Sequence, residues 1–160
     1  MGYFKDINTD FKKNWKNHLF QNLLIVLYII VIFHFHSFFD TLLASSLGAS
    51  AFIVFAMPNS QASKSKNLLF SYVICAFLAF LGRLLPIESE VIFYLIFIFL
   101  IGLSFFCMTV FNFEHPPAIG LSISVFISPD YKKVIIFSLS SVLFLAFIRI
   151  IFKKRIKDLV

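Results

Sequence analysis

Glycine and proline are scarce in this chain, five of each in 160 residues; cysteine occurs twice, tryptophan once, and only 14% of the residues carry charge. The two cysteines, Cys75 and Cys107, each sit inside an apolar stretch, which leaves neither a disulfide framework nor metal-like spacing. So little charge beside 60% hydrophobic residues and 24 Phe excludes a water-soluble core, because the apolar surface exceeds what a chain of this size buries. The net charge of +6 comes from the two termini, and no basic run is interleaved with aromatic motifs, so nucleic acid is set aside as a partner. Phosphate loops, metalloprotease motifs and a nucleophile spaced with a base and an orienting group are missing as well. His18, His34 and His36 share no spacing with a carboxylate or a cysteine. Nothing in the sequence asks for an enzyme, a cofactor or a metal.

What is there is hydrocarbon. A bilayer core of about 30 Å needs about 20 apolar residues of helix, and the stretches 19–36, 68–85, 91–111 and 134–152 reach that scale. The chain reads as an all-α integral membrane protein whose direct partner is the lipid bilayer. Two further stretches, 38–57 and 117–128, are apolar but broken, the first by Asp40, Ser45, Ser46 and Gly48, the second by a double proline. Residues 1–17 are basic and amphipathic: Phe4, Ile7, Phe11 and Trp15 recur at helical spacing among Lys5, Lys12, Lys13 and Lys16. They read as an interfacial helix or as a solvated basic tail. No small-residue cleavage site follows the first apolar run, so the segment is expected to stay. Residues 153–160 form a second basic tail.

The sequence repeats itself. "VFAMPN" (54–59) lies over "VFISPD" (125–130) at an offset of 71, and "KNLLFSYVICAFLAF" (66–80) over "KVIIFSLSSVLFLAF" (133–147) at an offset of 67. Each unit, 18–85 and 88–152, then holds a span, a broken segment and a span. Three passes per unit invert the second unit relative to the first, the construction of many transporters. Lysine and arginine positions put both termini on the cytoplasmic side whether six segments cross or four cross and two re-enter. Symmetry favours six, with four spans as the alternative.

The second broken segment, "FNFEHPPAIGLSISVFISPD" (111–130), explains its own punctuation. Prolines suit the first turn of a helix and push the preceding residue toward extended geometry. A helix is therefore expected to begin at Pro116 and Pro117, stop before Pro129, and cover about 17 Å, with Asn112–His115 as an extended lead-in. In the first unit Ser45 and Ser46 fall opposite the prolines and are expected to cap a matching short helix, with Gly48 at a close approach and Pro58 as its stop. Two helix N-termini aimed at a common centre would make an anion site without a fixed cation.

His115-Pro116-Pro117 with Gly120 downstream, together with Gly48-Ala49-Ser50-Ala51 and the run Met57-Pro58-Asn59-Ser60-Gln61, resembles the HPP family of integral membrane proteins over about residues 38–130. The resemblance implies four transmembrane segments and, from the plant plastid members implicated in nitrite transport, a small-anion transporter. Family members commonly continue with Pro-Arg-Asn after Gln61, where this chain has Ala62, Ser63 and Lys64; Lys64 and Lys66 keep the charge. The candidate substrate-binding residues are His115, Pro116, Pro117, Glu114, Gly120, Ser122, Ser45, Ser46, Gly48 and Ser50. His115 is a proton-transfer group or ligand, or it pins the broken helix through a backbone bond; Glu114 shares its proton or is an exposed loop acid. Serines in membrane helices also bond their own backbone. Arg149 is expected to snorkel to the inner interface. The expected function is transport or channelling of a nitrite-like anion across a bacterial inner membrane; the alternative is a non-transporting partner-binding or sensing module. Association into a homo-oligomer stays open.

Overall fold

A computed structural model describes residues 9–35, 41–86 and 88–159. These form six helices and, among the described residues, no strand: α1 (Thr9–Phe35), α2 (Thr41–Ala56), α3 (Ser65–Arg83), α4 (Glu90–Val110), α5 (Ile119–Ile127) and α6 (Tyr131–Phe152). Single 3-10 turns, Gln61–Ser63 and Pro116–Ala118, precede α3 and α5. Phe4, Ile7, His36, Asp40 and the side chain of Phe11 lie outside the described residues. Helix α1 bends at Asn14, where φ is −121° and ψ 20°.

Four helical stretches have the length and composition to cross a membrane: Asn14–Ile32, Ser65–Arg83, Glu90–Val110 and Tyr131–Phe152. Helix α4 buries only Ser104 and Met108 and exposes Val91, Leu95, Ile98, Phe99 and Phe106, a surface suited to lipid. Helix α2 and the Pro116–Ile127 segment are shorter. At 1.5 Å per residue the latter covers only about 18 Å of a hydrocarbon core of about 30 Å. Length and composition therefore support four full spans, with α2 and the Pro116–Ile127 segment as shorter apolar helices among the six.

Direction nevertheless alternates through all six helices. Gln21 of α1 donates to Phe55 O at the end of α2, whereas Tyr28, two turns later, reaches Ser141 O near the middle of α6 at 3.3 Å. Along α3, Ser71 meets Phe113 O, Cys75 O accepts from Ser122 at 3.2 Å, and Arg83 faces Phe126 and Ser128, so α3 and α5 run the same way. Phe80 packs on Tyr131 at the start of α6, and Arg149 near its end reaches Pro58 O at 3.1 Å. Helices α1, α3 and α5 thus start from the side that holds the 57–64 loop, and α2, α4 and α6 start at the opposite end. The two sets of long, short and long helix have opposite sense.

Each short helix packs on the third helix of the other set, α5 on α3 and α2 on α6, while α2 and α5 also touch each other. Backbone accounting at the helix ends follows that exchange. The last carbonyls of a helix have no intrahelical partner and carry partial negative charge. At the end of α2, Phe55 O accepts from Gln21, Ala56 O from Leu159 N at 2.9 Å, and Pro58 O from Arg149. After α5, Phe126 O and Ser128 O face Arg83 at 3.4 and 3.5 Å, and the Arg83 guanidinium also lies 4.9 Å from the Tyr131 ring centroid. Arg149 is therefore a backbone cap inside the bundle end, because α2 stops short and leaves carbonyls to satisfy; it does not snorkel outward. The tail does not hang free, since Ile156 and Leu159 are buried and Lys157 N–H donates to Gln21 at 3.1 Å.

Arg83→Met and Arg149→Met should each lower the unfolding temperature in detergent by about 2–4 °C, about 1 kcal/mol for a cation at a helix C-terminus. The Arg149 effect should be the larger, given its shorter bond. Thermal unfolding of the two purified variants beside the parent checks both.

Candidate functional site

Helix α4 ends in a turn that its sequence encodes. Asn112 has φ 57°, a left-handed conformation that asparagine tolerates better than most residues. Its N–H reaches Thr109 O at 3.2 Å and the next, Phe113, reaches Met108 O at 3.0 Å. That crossed pair closes the helix and turns the chain back into the bundle. His115 follows with φ −143° and ψ 82°, the extended geometry that a residue before proline is pushed toward. The helical turn then starts at Pro116, and α5 stops at Ile127 ahead of Pro129. The prolines set the segment's bounds as the sequence implies.

His115 is fully buried. Its Nδ1 lies 2.7 Å from Ala62 O and its Nε2 2.8 Å from Ser50 Oγ. Ala62 sits in a turn built by its neighbours: Ser60 Oγ accepts from Ser63 N at 3.2 Å, and Ser63 Oγ donates to Pro58 O at 2.6 Å. The run after α2 therefore serves to present a carbonyl, for which the side chain at position 62 is not needed. Ser50 Oγ also lies 3.0 Å from Ser46 O and 2.9 Å from Tyr72 OH. Tyr72 OH is 2.9 Å from Ser46 Oγ, which donates to Pro117 O at 2.5 Å. A continuous chain of hydrogen bonds thus runs from the 57–64 loop through His115, Ser50, Tyr72 and Ser46 to the first turn of α5. Ser50 and Tyr72 have no exposed surface and Ser46 is buried.

Of the residues the sequence singles out, His115, Ser50, Ser46 and Pro117 meet in this cluster. Gly120 stands beside it: a Cβ there would lie 2.7 Å from Ser46 Cβ. Ser122 bonds Cys75 O instead, Ser45 and Glu114 are exposed, and so is Pro116. A Cβ on Gly48 would have nothing within 4 Å. The exposed side chain of Glu114 leaves it outside the buried network, so a shared Glu114–His115 proton is not part of this arrangement. Tyr72 and the carbonyl of Ala62 were not legible as site groups. A tyrosine inside an apolar span is the signal for the first, since its hydroxyl must find a partner when buried.

Two local expectations are corrected. Ser45 and Ser46 do not cap α2, which already begins at Thr41; they lie in its second turn, and Ser46 faces α5. The short helices run antiparallel and overlap, so their N-termini start from opposite ends and share no centre. The first turn of α5 also offers no row of free donors. Pro116 and Pro117 have no N–H, Ala118 N–H bonds His115 O at 3.0 Å, and Ile119 N–H bonds back to Pro116 O and Pro117 O. Any anion held here meets side-chain donors, not a helix end.

Ser50 and His115 have the spacing of a nucleophile and its base, with the Ala62 carbonyl as orienting group. Attack also needs room for a substrate carbonyl beside the nucleophile. Tyr72 and the backbone of Ser46 occupy that surround within 3.0 Å of Ser50 Oγ.

A family model described as "HPP, transmembrane region" matches residues 11–158. No curated protein and no solved structure matches the chain.

Proposed function

The chain belongs to the HPP transmembrane family, and on that premise we propose that it is a transporter or channel, not an enzyme, passing a small inorganic anion of the nitrite type. The observation that carries the reading is the buried His115–Ser50–Tyr72–Ser46 network between two shortened helices. Ionisable and polar side chains at membrane depth are costly, and they mark ion pathways when they face the bundle interior. Shortened helices are the usual setting of such sites, because irregular backbone is tolerated where a cavity or the protein surrounds it. His115, Ser50, Ser46 and Tyr72 supply the donors; Pro116, Pro117 and Gly120 hold the turn against α2. The membrane is a bacterial inner membrane, and the end carrying Lys64, Lys66, Lys153, Lys154 and Lys157 faces the cytoplasm, as the positive-inside rule favours.

Reconstituted protein should take up nitrite faster than empty vesicles do, and faster than it takes up chloride or formate. A cysteine replacing Ser46 or Ala118, with Cys75 and Cys107 removed, should react with a polar thiol reagent and should be protected by nitrite. Uptake equal to that of empty vesicles, with the new cysteine unreactive, would leave the partner-binding or sensing reading in its place. The observation favouring that second reading is the tight Ser46–Gly120 approach, which serves helix packing with or without a substrate.

A further inference from the structure

We propose that the anion crosses together with a proton, carried on Nε2 of His115, so that the transported unit is electroneutral; the proposal rests on the function above. It comes from counting protons in the network. Six pairs of atoms lie at hydrogen-bond distance: Ser46 Oγ with Pro117 O and with Tyr72 OH, Ser50 Oγ with Ser46 O, Tyr72 OH and His115 Nε2, and His115 Nδ1 with Ala62 O. With a neutral imidazole only four protons exist to fill them, one each on Ser46, Ser50, Tyr72 and His115.

The carbonyls decide where those protons go. A carbonyl only accepts, so the Ser46 proton goes to Pro117 O and the imidazole proton sits on Nδ1 facing Ala62 O. Ser46 Oγ can then only accept from Tyr72, which spends the Tyr72 proton. Ser50 is left with one proton and three acceptors around it: Ser46 O, the Tyr72 oxygen and His115 Nε2. One proton added at Nε2 relieves this. The new N–H donates to Ser50 Oγ, and the Ser50 proton is freed for Ser46 O or Tyr72. With a neutral imidazole two of the six pairs go without a proton, and the one added at Nε2 lets a fifth pair be filled.

That added proton brings a charge with no counter-charge beside it among the described residues. The imidazole meets Ser50 from α2, the Tyr72 ring from α3 with centroids 5.9 Å apart, and the Ala62 carbonyl from the loop before α3. Glu114, the adjacent acid, is exposed, as are Lys64 and Lys66. A buried, uncompensated ion costs several kcal/mol, so the imidazolium is held only when an anion comes with it. By linkage each then raises the occupancy of the other by the same factor. The exchange balances: water on one side gives a proton to Nε2, water on the other side takes it back, and no other bond changes.

The experiment uses vesicles of the full chain loaded with a pH-sensitive dye, with nitrite assayed in the same sample and protein-free vesicles subtracted to remove passive entry of nitrous acid. The expected result is one proton entering per nitrite, a rate indifferent to a potassium diffusion potential, and about tenfold accumulation per unit of inward pH gradient. His115→Gln, which keeps a donor but cannot take up a proton, should show residual uptake that ignores the pH gradient and follows the potential. Parent uptake that follows the potential with no proton movement overturns the coupling and leaves anion transport standing. Folded protein that takes up no nitrite overturns the transport reading and the coupling with it.

Discussion

His115→Ala lowers nitrite uptake by reconstituted protein at least about thirtyfold, the loss expected when one partner of a buried, charge-assisted hydrogen bond is truncated at about 2–5 kcal/mol. Two effects add. The alanine removes the one basic side chain in the cluster, and it takes from Ser50 Oγ and Ala62 O the partner they hold at 2.8 and 2.7 Å. Ser50 Oγ keeps Ser46 O and Tyr72 OH, but a polar atom left without its partner, as Ala62 O is, costs about 1–3 kcal/mol, so the variant should also unfold at a lower temperature. Uptake is therefore compared with Tyr72→Phe, which removes one hydroxyl from the same network and leaves the imidazole in place. If transport depends on the imidazole, Tyr72→Phe keeps clearly more uptake than His115→Ala. Glu114→Gln, altering an exposed neighbour, leaves the rate as it was. Equal uptake by His115→Ala and parent would remove this cluster from the pathway.

The second large effect is expected at Gly120. A Cβ there meets Ser46 Cβ at 2.7 Å and Ser46 Oγ at 3.0 Å, and a Cβ atom, unlike the end of a long side chain, cannot swing aside. Gly120→Val must push α5 off α2, and with that movement go the Ser46–Pro117 and Ser50–His115 bonds. Overpacking of this kind costs about 1–3 kcal/mol, which is about 2–12 °C of unfolding temperature for a chain of this length. Gly48→Ala is the matched control, because nothing lies within 4 Å of a Cβ at that position. Ser46→Gly combined with Gly120→Ala opens the space again, so the pair should be less destabilised than the sum of the single changes. Additive losses would mean that the two positions do not touch.

Much of this fold is legible in the sequence because lipid leaves so few options. Four spans, the helix start at Pro116 and its stop before Pro129 follow from backbone satisfaction alone. The offset of 71 carries more than similarity: it pairs Ser46 with Pro117, and those two residues are in contact at 2.5 Å. Equivalent positions on antiparallel helices touch where a two-fold axis passes between them, so the repeat locates the axis. What misled was serine. Ser50, Ser104, Ser124 and Ser138 each donate to the carbonyl four residues back, an option always open to serine inside a helix in lipid. Ser45 and Ser46 therefore signalled no helix start, and α2 runs straight through them. Tyr72 stayed hidden for a different reason. Its partners are on α2, 22 and 26 residues earlier in the chain, and neither periodicity nor the repeat links them.

The exchange of short helices between the two halves sets an order of events during synthesis. Helix α2 rests on α6, and its last carbonyls wait for Arg149 and for Leu159 N–H, groups that do not exist until nearly the whole sequence has been made. A ribosome that has just finished α3 has therefore inserted two long helices and a short one whose end is held by Gln21 alone, without Arg149 and Leu159. The first half must idle in the membrane, open to quality control, until the second arrives to close it. A gene split between residues 86 and 88 should accordingly yield two fragments that are each degraded when expressed alone and rescue one another when expressed together.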